Sequence, residues 1–313
     1  MKVLITGGAG TLGAALIDHW YPKGYEFIII DNFTTGNRGN IPELKNMTVI
    51  EGSISNYELV KSTFEKFTPD ICIHSAASYK DPTDWYEDVN TNIIGTINII
   101  RAAENTSLKK LIHFQTALTY GRPSTVPISE KEKSSPFTSY GISKTASEGY
   151  LMMASIPTLS LRIANVTGPR LSIGPIPTFY KRLREGKRCF CTDSARDFID
   201  IRDFLSFMDL AIKDKSPVGI YNISTGEEVS IHKIFKSVCR HLKLNPEQEV
   251  PILPIADDDV KTVVLDPTKA KQDFKWEPVI TYDEMMTYVL SWYDKYGVTD
   301  VYSHLMTKPN PDN

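Results

Sequence analysis

Short apolar runs and helically spaced apolar residues alternate along the first half of the chain. Lys2-Val3-Leu4-Ile5-Thr6 predicts a buried strand. Ala14 to Tyr21 carries apolar residues at helical spacing, and Phe27-Ile28-Ile29-Ile30 predicts a second buried strand. Further strands are predicted at Met47 to Glu51, closed by Gly52, at Ile71 to His74, at Leu111 to Thr116 and at Leu159 to Val166. Helical patterns lie between them. One runs from Asn56 to Lys66 with Ser55 as its cap, and one from Asp84 to Asn105 with Ile93, Ile97 and Ile100 on one side. A third bears Tyr140 and Lys144. This alternation predicts an α/β chain with a parallel, doubly wound sheet covered on both faces.

Past Gly168-Pro169 the texture changes. Prolines 169, 175 and 177, a basic helical stretch from Tyr180 to Arg184 and short strand patterns replace the regular alternation. The expected division is a first domain over 1–168 and a smaller α+β domain over 169–313, with 198–224 returning to the first. Ile220 to Ser224 is the strand expected to rejoin the main sheet. Helices are predicted over Val229 to Leu242, from Asp266-Pro267 to Trp276, and over Tyr282 to Tyr296, followed by a loose polar tail from Thr307.

Composition narrows the function classes. The chain has 313 residues, 41% of them apolar, and a formal charge of −3, which gives no reason to expect nucleic acid or an anionic membrane as a partner. No apolar run approaches the length that spans a bilayer. The first strand pattern begins at Lys2, so the expectation is a chain without a leader, working in the cytoplasm. Four cysteines with no C-x-x-C pair fit a reducing compartment. Cys189 and Cys191, two apart in a predicted strand, would share a face and are read as packing; no metal site is expected.

The first candidate chemistry is the turn Gly7-Gly8-Ala9-Gly10-Thr11-Leu12-Gly13, set between a strand and a helix, with Asp31 ending the next strand. That βαβ unit with its acid is the Rossmann arrangement for a dinucleotide. Gly7 makes the turn, Gly10 admits a pyrophosphate and Gly13 packs helix on strand. Thr11 and Leu12 open the helix whose free N–H groups face the phosphates. Asp31 accepts the adenine ribose hydroxyls and repels a 2′-phosphate, so the expected cofactor is NAD. Asn32, Thr35 and Gly36 form a small-residue loop for the adenosine, and Ser75, Ala76 and Ala77 let a ligand approach a strand end.

Tyr140 and Lys144 stand four apart and share a helix face. A lysine ammonium beside a phenol favours the phenolate, turning a group that titrates near ~10 into a usable base. Thr116 ends a strand where such sheets place their ligands, with a hydroxyl for substrate and Tyr140.

These residues give the chain its resemblance. It resembles an extended short-chain dehydrogenase/reductase of the NAD-dependent nucleotide-sugar epimerase/dehydratase family. Thr6 to Gly13 is similar to the family's TGGxGFIG, Tyr140 and Lys144 to YxxxK, and Thr116 to Gly121 to the catalytic Ser/Thr segment. Asn92 falls in the NVxGT helix, Leu161 to Arg170 matches LRxxNVYGPR, and Arg196-Asp197-Phe198 matches RDF. The order of motifs covers nearly the whole chain and resembles enzymes of bacterial O-antigen and surface-polysaccharide loci. The resemblance implies catalytic roles for Thr116, Tyr140 and Lys144. It implies cofactor contacts for Asn92, Tyr140 and Lys144, and substrate contacts for Thr116, Asn165 and Arg196, the last on a diphosphate. A nucleotide-diphosphate sugar is the implied partner, and a homodimer the implied assembly.

Two departures matter. Gly52-Ser53-Ile54 replaces the family's Gly-Asp-Ile/Leu, so Ser53 and Ile54 stand at the adenine. Ala256-Asp257-Asp258-Asp259 replaces Arg-x-Gly-Asp, so one diphosphate arginine is missing and Arg196 carries more of that load. Ala117 and Leu118 occupy the positions where dehydratases of the family carry an acid. The resemblance therefore implies C4 epimerisation by transient oxidation. The alternatives are a dehydratase drawing its acid from Glu148 or Asp81, a non-catalytic NAD-binding regulator and a structural partner protein.

Overall fold

A computed structural model describes residues 1–257, 259–298 and 301; Asp258 and the tail from Thr307 lie outside the described residues. In chain order the first strands are β1 (Lys2–Thr6), β2 (Glu26–Asp31), β3 (Met47–Glu51), β4 (Ile71–His74), β5 (Lys110–Thr116) and β6 (Thr158–Ile163). Short strands β7 (Asn165–Thr167), β8 (Cys191–Thr192), β9 (Ala195–Arg196) and β10 (Phe198–Asp200) come next, then β11 (Gly219–Ile223). Seven of these form one sheet in the order β11-β6-β5-β4-β1-β2-β3, parallel at every pairing. The Ile220 to Ser224 segment thus does rejoin the sheet, as its outer strand beside β6.

Side-chain alternation divides each strand between two faces. Val3 and Ile5 of β1 pack with Phe27 and Ile29 in one cluster, under α1 (Thr11–Trp20). Leu4, Ile28 and Ile30 pack on the other face against Val60, Phe64 and Ile99. Those residues belong to α2 (Tyr57–Phe67) and to the helical stretch 85–103, which comprises α3 (Trp85–Glu87), a π-helical segment (Asp88–Ile94) and α4 (Gly95–Ala103). α5 (Ser139–Met153) adds Leu151 to the same face. Strand order reverses between β1 and β4, and at such a switch point the strand ends open a crevice for ligand.

A second core gathers around α6 (Pro175–Arg184), α8 (Ile231–His241) and α10 (Tyr282–Tyr296), with Ile176, Phe179, Phe235, Val238, Met285 and Val289. α7 (Ile201–Ala211) and α9 (Thr268–Phe274) instead join the first core, through Phe204, Phe207, Phe274 and Trp276. Small sheets complete this half: β12 (Val229–Ser230) and β14 (Thr262–Val263) flank β9, and β13 (Ile252–Leu253) pairs with β8. Among the described residues no helix is long and apolar enough to cross a membrane.

Several local expectations are corrected. Asn56, not Ser55, caps α2, because its side chain accepts from Leu59 N; the Ser55 hydroxyl pairs with Ser53 at 2.8 Å. The run expected as one strand to Val166 breaks at Ala164, and β7 leaves the sheet to pair with β10. Ile93 and Ile97 are only half-buried. The wide π turn rotates the helix, so that Asn92, Thr96 and Ile99 face inward instead. The strand expected around Cys189 contains only Cys191 and Thr192, and both thiols are buried in the second core.

Candidate active site

The turn after β1 can only be built from glycine at two of its positions. Gly7 has φ +70, and a Cβ there would stand 2.7 Å from the Ala76 Cα of the β4 exit. A Cβ at Gly13 would lie 2.6 Å from the Gly7 carbonyl oxygen. Gly10 is the N-cap of α1 and no side chain caps that end, so its first N–H groups are left for a ligand. Gly7, Gly10, Thr11 and Leu12 line a cleft of about 440 Å³, within the ~300–1,000 Å³ range of small-molecule sites.

At one end of the cleft, buried Asp31 accepts from Ala9 N and Phe33 N, both at 2.8 Å. Each oxygen retains lone pairs for ribose hydroxyls. Asn32, Thr35, Gly36, Ser53 and Ile54 line this end. A side chain at Gly36 would collide with Asp31 Oδ1, at 2.9 Å, so glycine lets the loop close over the acid. Ser75, Ala76 and Ala77 form the wall at the switch point.

Thr116 and Tyr140 line the middle of the cleft. Thr116 Oγ1 accepts from Leu118 N at 3.2 Å, which leaves its own proton to donate. Thr138 caps α5, accepting from Gly141 N, and so sets the first turn on which Tyr140 stands. The Tyr79 ring lies 6.0 Å from that of Tyr140. Lys144, one turn further, is buried, with Nζ 2.8 Å from His113 Nε2. Burial pushes Lys144 down to about 7, against the pull of Glu148 upward.

Three expected contacts, Asn92, Lys144 and Arg196, are not among the residues that line the cleft. Asn92 lies buried behind the wall, where it clamps the β4 exit loop. It accepts from Ser78 N at 2.8 Å and donates to Ser78 O at 3.0 Å and Ser143 Oγ at 2.9 Å. Asn165 lines the cleft and donates to Asp197 O at 2.9 Å. Arg196 forms an ion pair with Asp259 and donates to Ala195 O at 2.7 Å. Burial lowers its pKa while Asp259 raises it, and it stays a cation at physiological pH.

Of the two acids considered for elimination, Glu148 is buried and held by Arg162 at 2.5 Å, away from the cleft. Asp81 lines the cleft, but hydrogen bonds from the Thr83 hydroxyl and amide hold its carboxyl below the usual range. Ala117 and Leu118 begin a 3₁₀ turn beside Thr116 and bring no acid there. Sequence reasoning missed His74, His113 and Gln115, whose polar side chains are buried in the sheet. The signal was present: His113 and Gln115 interrupt an otherwise apolar strand at alternate positions.

The family model described as GDP-mannose 4,6 dehydratase matches residues 4–289. The Bordetella bronchiseptica enzyme WbmG in complex with NAD is 52% identical and superposes with a TM-score of 0.92 over 98% of both chains. Its complex with NAD and UDP gives 0.91 over 97% of both. The UDP-glucose 4-epimerase of Halalkalibacterium halodurans is 27% identical over 95% of this chain and 96% of its own. The chain belongs to the extended short-chain dehydrogenase/reductases, in the NAD-dependent nucleotide-sugar epimerase/dehydratase family.

Proposed function

We propose that the protein is a nucleotide-sugar 4-epimerase with tightly held NAD. The observation that carries this reading is the wall beside Thr116 and Tyr140. It offers a base and a hydroxyl but Ala117 and Leu118 where elimination needs an acid, while Glu148 is locked to Arg162. The open helix end, Asp31 and the glycine contacts fit NAD, with the sheet half over 1–168 and 198–224 holding it. The half over 169–313 then takes the distal part of the substrate. NAD bound there supplies a hydride acceptor at the sugar C4 and a donor for its return.

The chain's own residues do the rest. Tyr140 removes the C4 hydroxyl proton, Thr116 holds that oxygen by its free proton, and the Lys144 ammonium favours the phenolate. Asn165 reaches the substrate from β7. Arg196 holds the diphosphate, because a guanidinium fork has donors left beyond its bond to Asp259. The UDP complex of WbmG favours a UDP-sugar, and the sequence resemblance to enzymes of surface-polysaccharide loci implies a place in their assembly. The described cysteines are unbridged, in keeping with the cytoplasm. Exposed apolar residues on α5 fit a homodimer.

The test is incubation of the NAD-loaded protein with a panel of UDP-, dTDP-, GDP- and CDP-sugars, with products resolved by chromatography and mass. An isobaric epimer is expected. Loss of water would assign a dehydratase, with Asp81 the first residue to replace.

A further inference from the structure

Behind the cleft a polar chain runs back from Lys144 through side chains that the proposed chemistry leaves unused. Lys144 Nζ lies 2.8 Å from His113 Nε2, and His113 Nδ1 lies 3.2 Å from Ser160 Oγ. Ser160 Oγ donates to Glu148 Oε2 at 2.8 Å, and Glu148 is paired with Arg162. The Arg162 guanidinium in turn lies over the Tyr120 ring, 4.7 Å from its centroid. All five linked side chains are at most 5% exposed.

With Lys144 protonated, the direction of the chain is fixed at both ends. An ammonium only donates and a carboxylate only accepts. His113 Nε2 must therefore accept, its proton sits on Nδ1, and Ser160 passes its own proton to Glu148. Every bond then points from the cation toward the carboxylate, through three elements: α5, β5 and β6.

We propose that His113 and Ser160 are positioning residues that link Lys144 to the Glu148 carboxylate and keep the lysine protonated inside the cleft wall. The proposal rests on the reading of Tyr140 as the base and Lys144 as its cation. Burial works against a charged lysine in that wall, and only Glu148 pulls the other way. The groups facing the pair do not supply a second anion. His74 of β4 stands with its ring 5.4 Å from that of His113 and bonds Thr6 and Thr96, each at 2.9 Å. Both imidazoles are pushed well below their ordinary range, by burial first and then by Lys144. They stay neutral, as the chain requires. The other charged and titratable groups along the chain are Glu148 on α5, Arg162 on β6 and Tyr120 under the Arg162 guanidinium, with Tyr140 one helical turn before Lys144.

Glu148 has two routes to Lys144: through space along one helical turn, or through Ser160 and His113. Ser160→Ala separates them, because it keeps both charges and removes the link. The readout is carbon-13 NMR of the NAD-loaded protein labelled at lysine Cε, with Lys144→Arg to assign the signal. Ser160→Ala should lower the Lys144 midpoint by about one pH unit, as expected for losing a hydrogen bond that supports a charged group. His113→Leu should lower it at least as far, and His113→Gln, which keeps an acceptor and a donor, should restore most of the shift. A folded Ser160→Ala protein with an unmoved midpoint would overturn the proposal and assign the effect to the through-space route. Ultraviolet titration of Tyr140 in the same samples, as the difference from Tyr140→Phe, tests the base reading separately. An ordinary tyrosine midpoint there would sink that reading while the lysine signal still judged the chain.

Discussion

At the scale of single residues, the proposed chemistry concentrates on few side chains, and each has its own measurable signature. Tyr140→Phe removes the proposed base but keeps the ring, so turnover should fall ~10²–10⁴-fold while NAD binding and thermal melting hold. Activity within tenfold of wild type would sink the assignment. Asp31→Ala should narrow the preference for NAD over NADP in direct binding, because it removes both the ribose acceptor and the repulsion of a 2′-phosphate. Lys144 also has a linkage consequence. Its folded-state pKa is about 7 against an ordinary 10.5, so the unfolded chain binds one more proton between those values. Stability of the cofactor-free protein should therefore gain a rising contribution with pH across that window, flat on either side. Chemical denaturation of wild type and Lys144→Met at pH 7 and pH 10 checks it: the stability of the variant relative to wild type should fall with pH. Arg196→Ala should raise KM roughly ten- to a hundredfold with little change in kcat, since a diphosphate contact exists before and during chemistry. An unchanged KM would mean that another group holds the diphosphate.

Elements were legible wherever burial is uniform along the segment. The apolar runs of β1, β2 and β4 mark strands covered on both sides, and the amphipathic pattern marks α10 from Tyr282. What stayed hidden depends on partners distant in sequence. β6 ends at Ile163, and β7 pairs instead with β10, which starts at Phe198. Arg196 meets Asp259 across 63 residues, and the Lys144–Glu148 chain needs His113 and Ser160 from two separate strands. The π-helical segment is the clearest case. A regular helix over Asp84 to Asn105 would aim Ile93 and Ile97 inward, whereas the wide turn aims Asn92 inward, where it clamps both backbone groups of Ser78. Asn92→Ala would remove the partner of those half-buried groups. It should cost ~0.5–1.5 kcal/mol of stability and weaken NAD binding through the loosened wall at Ser75 to Ser78. Melting and NAD titration of the variant are the checks; an unaltered melt would show that the loop is held by other contacts.

At the scale of the whole molecule, the chain passes repeatedly between two cores, with α7, β11 and α9 joined to the first. That interleaving joins the half that carries Arg196, on β9, to the half that carries Tyr140, on α5. The outer surface carries a different message. α5 buries Lys144, Ser147, Glu148 and Leu151, and on its opposite side Ile142, Tyr150 and Met153 are exposed, the last by 82%. Positions 142, 146, 149, 150 and 153 recur at helical spacing, a stripe of Ile, Ala, Gly, Tyr and Met with no charge in it. The neighbouring helical stretch adds exposed Val89 and Ile94. A second copy of the same stripe would cover it by two-fold symmetry, with Ala146 and Gly149 allowing close approach of the helices. The protein should then run at about twice its 35.2 kDa in light scattering. Met153→Glu together with Ile142→Glu should place like charges at the centre of the contact and yield monomers that keep their melting transition. A wild-type protein that stays monomeric at micromolar concentration would remove the pair from the picture. Because the same helix carries Tyr140 and Lys144 on its inner side, the monomeric variant also shows whether the partner's support reaches the cleft: kcat should fall if the dimer stiffens α5 and hold if it only covers apolar surface.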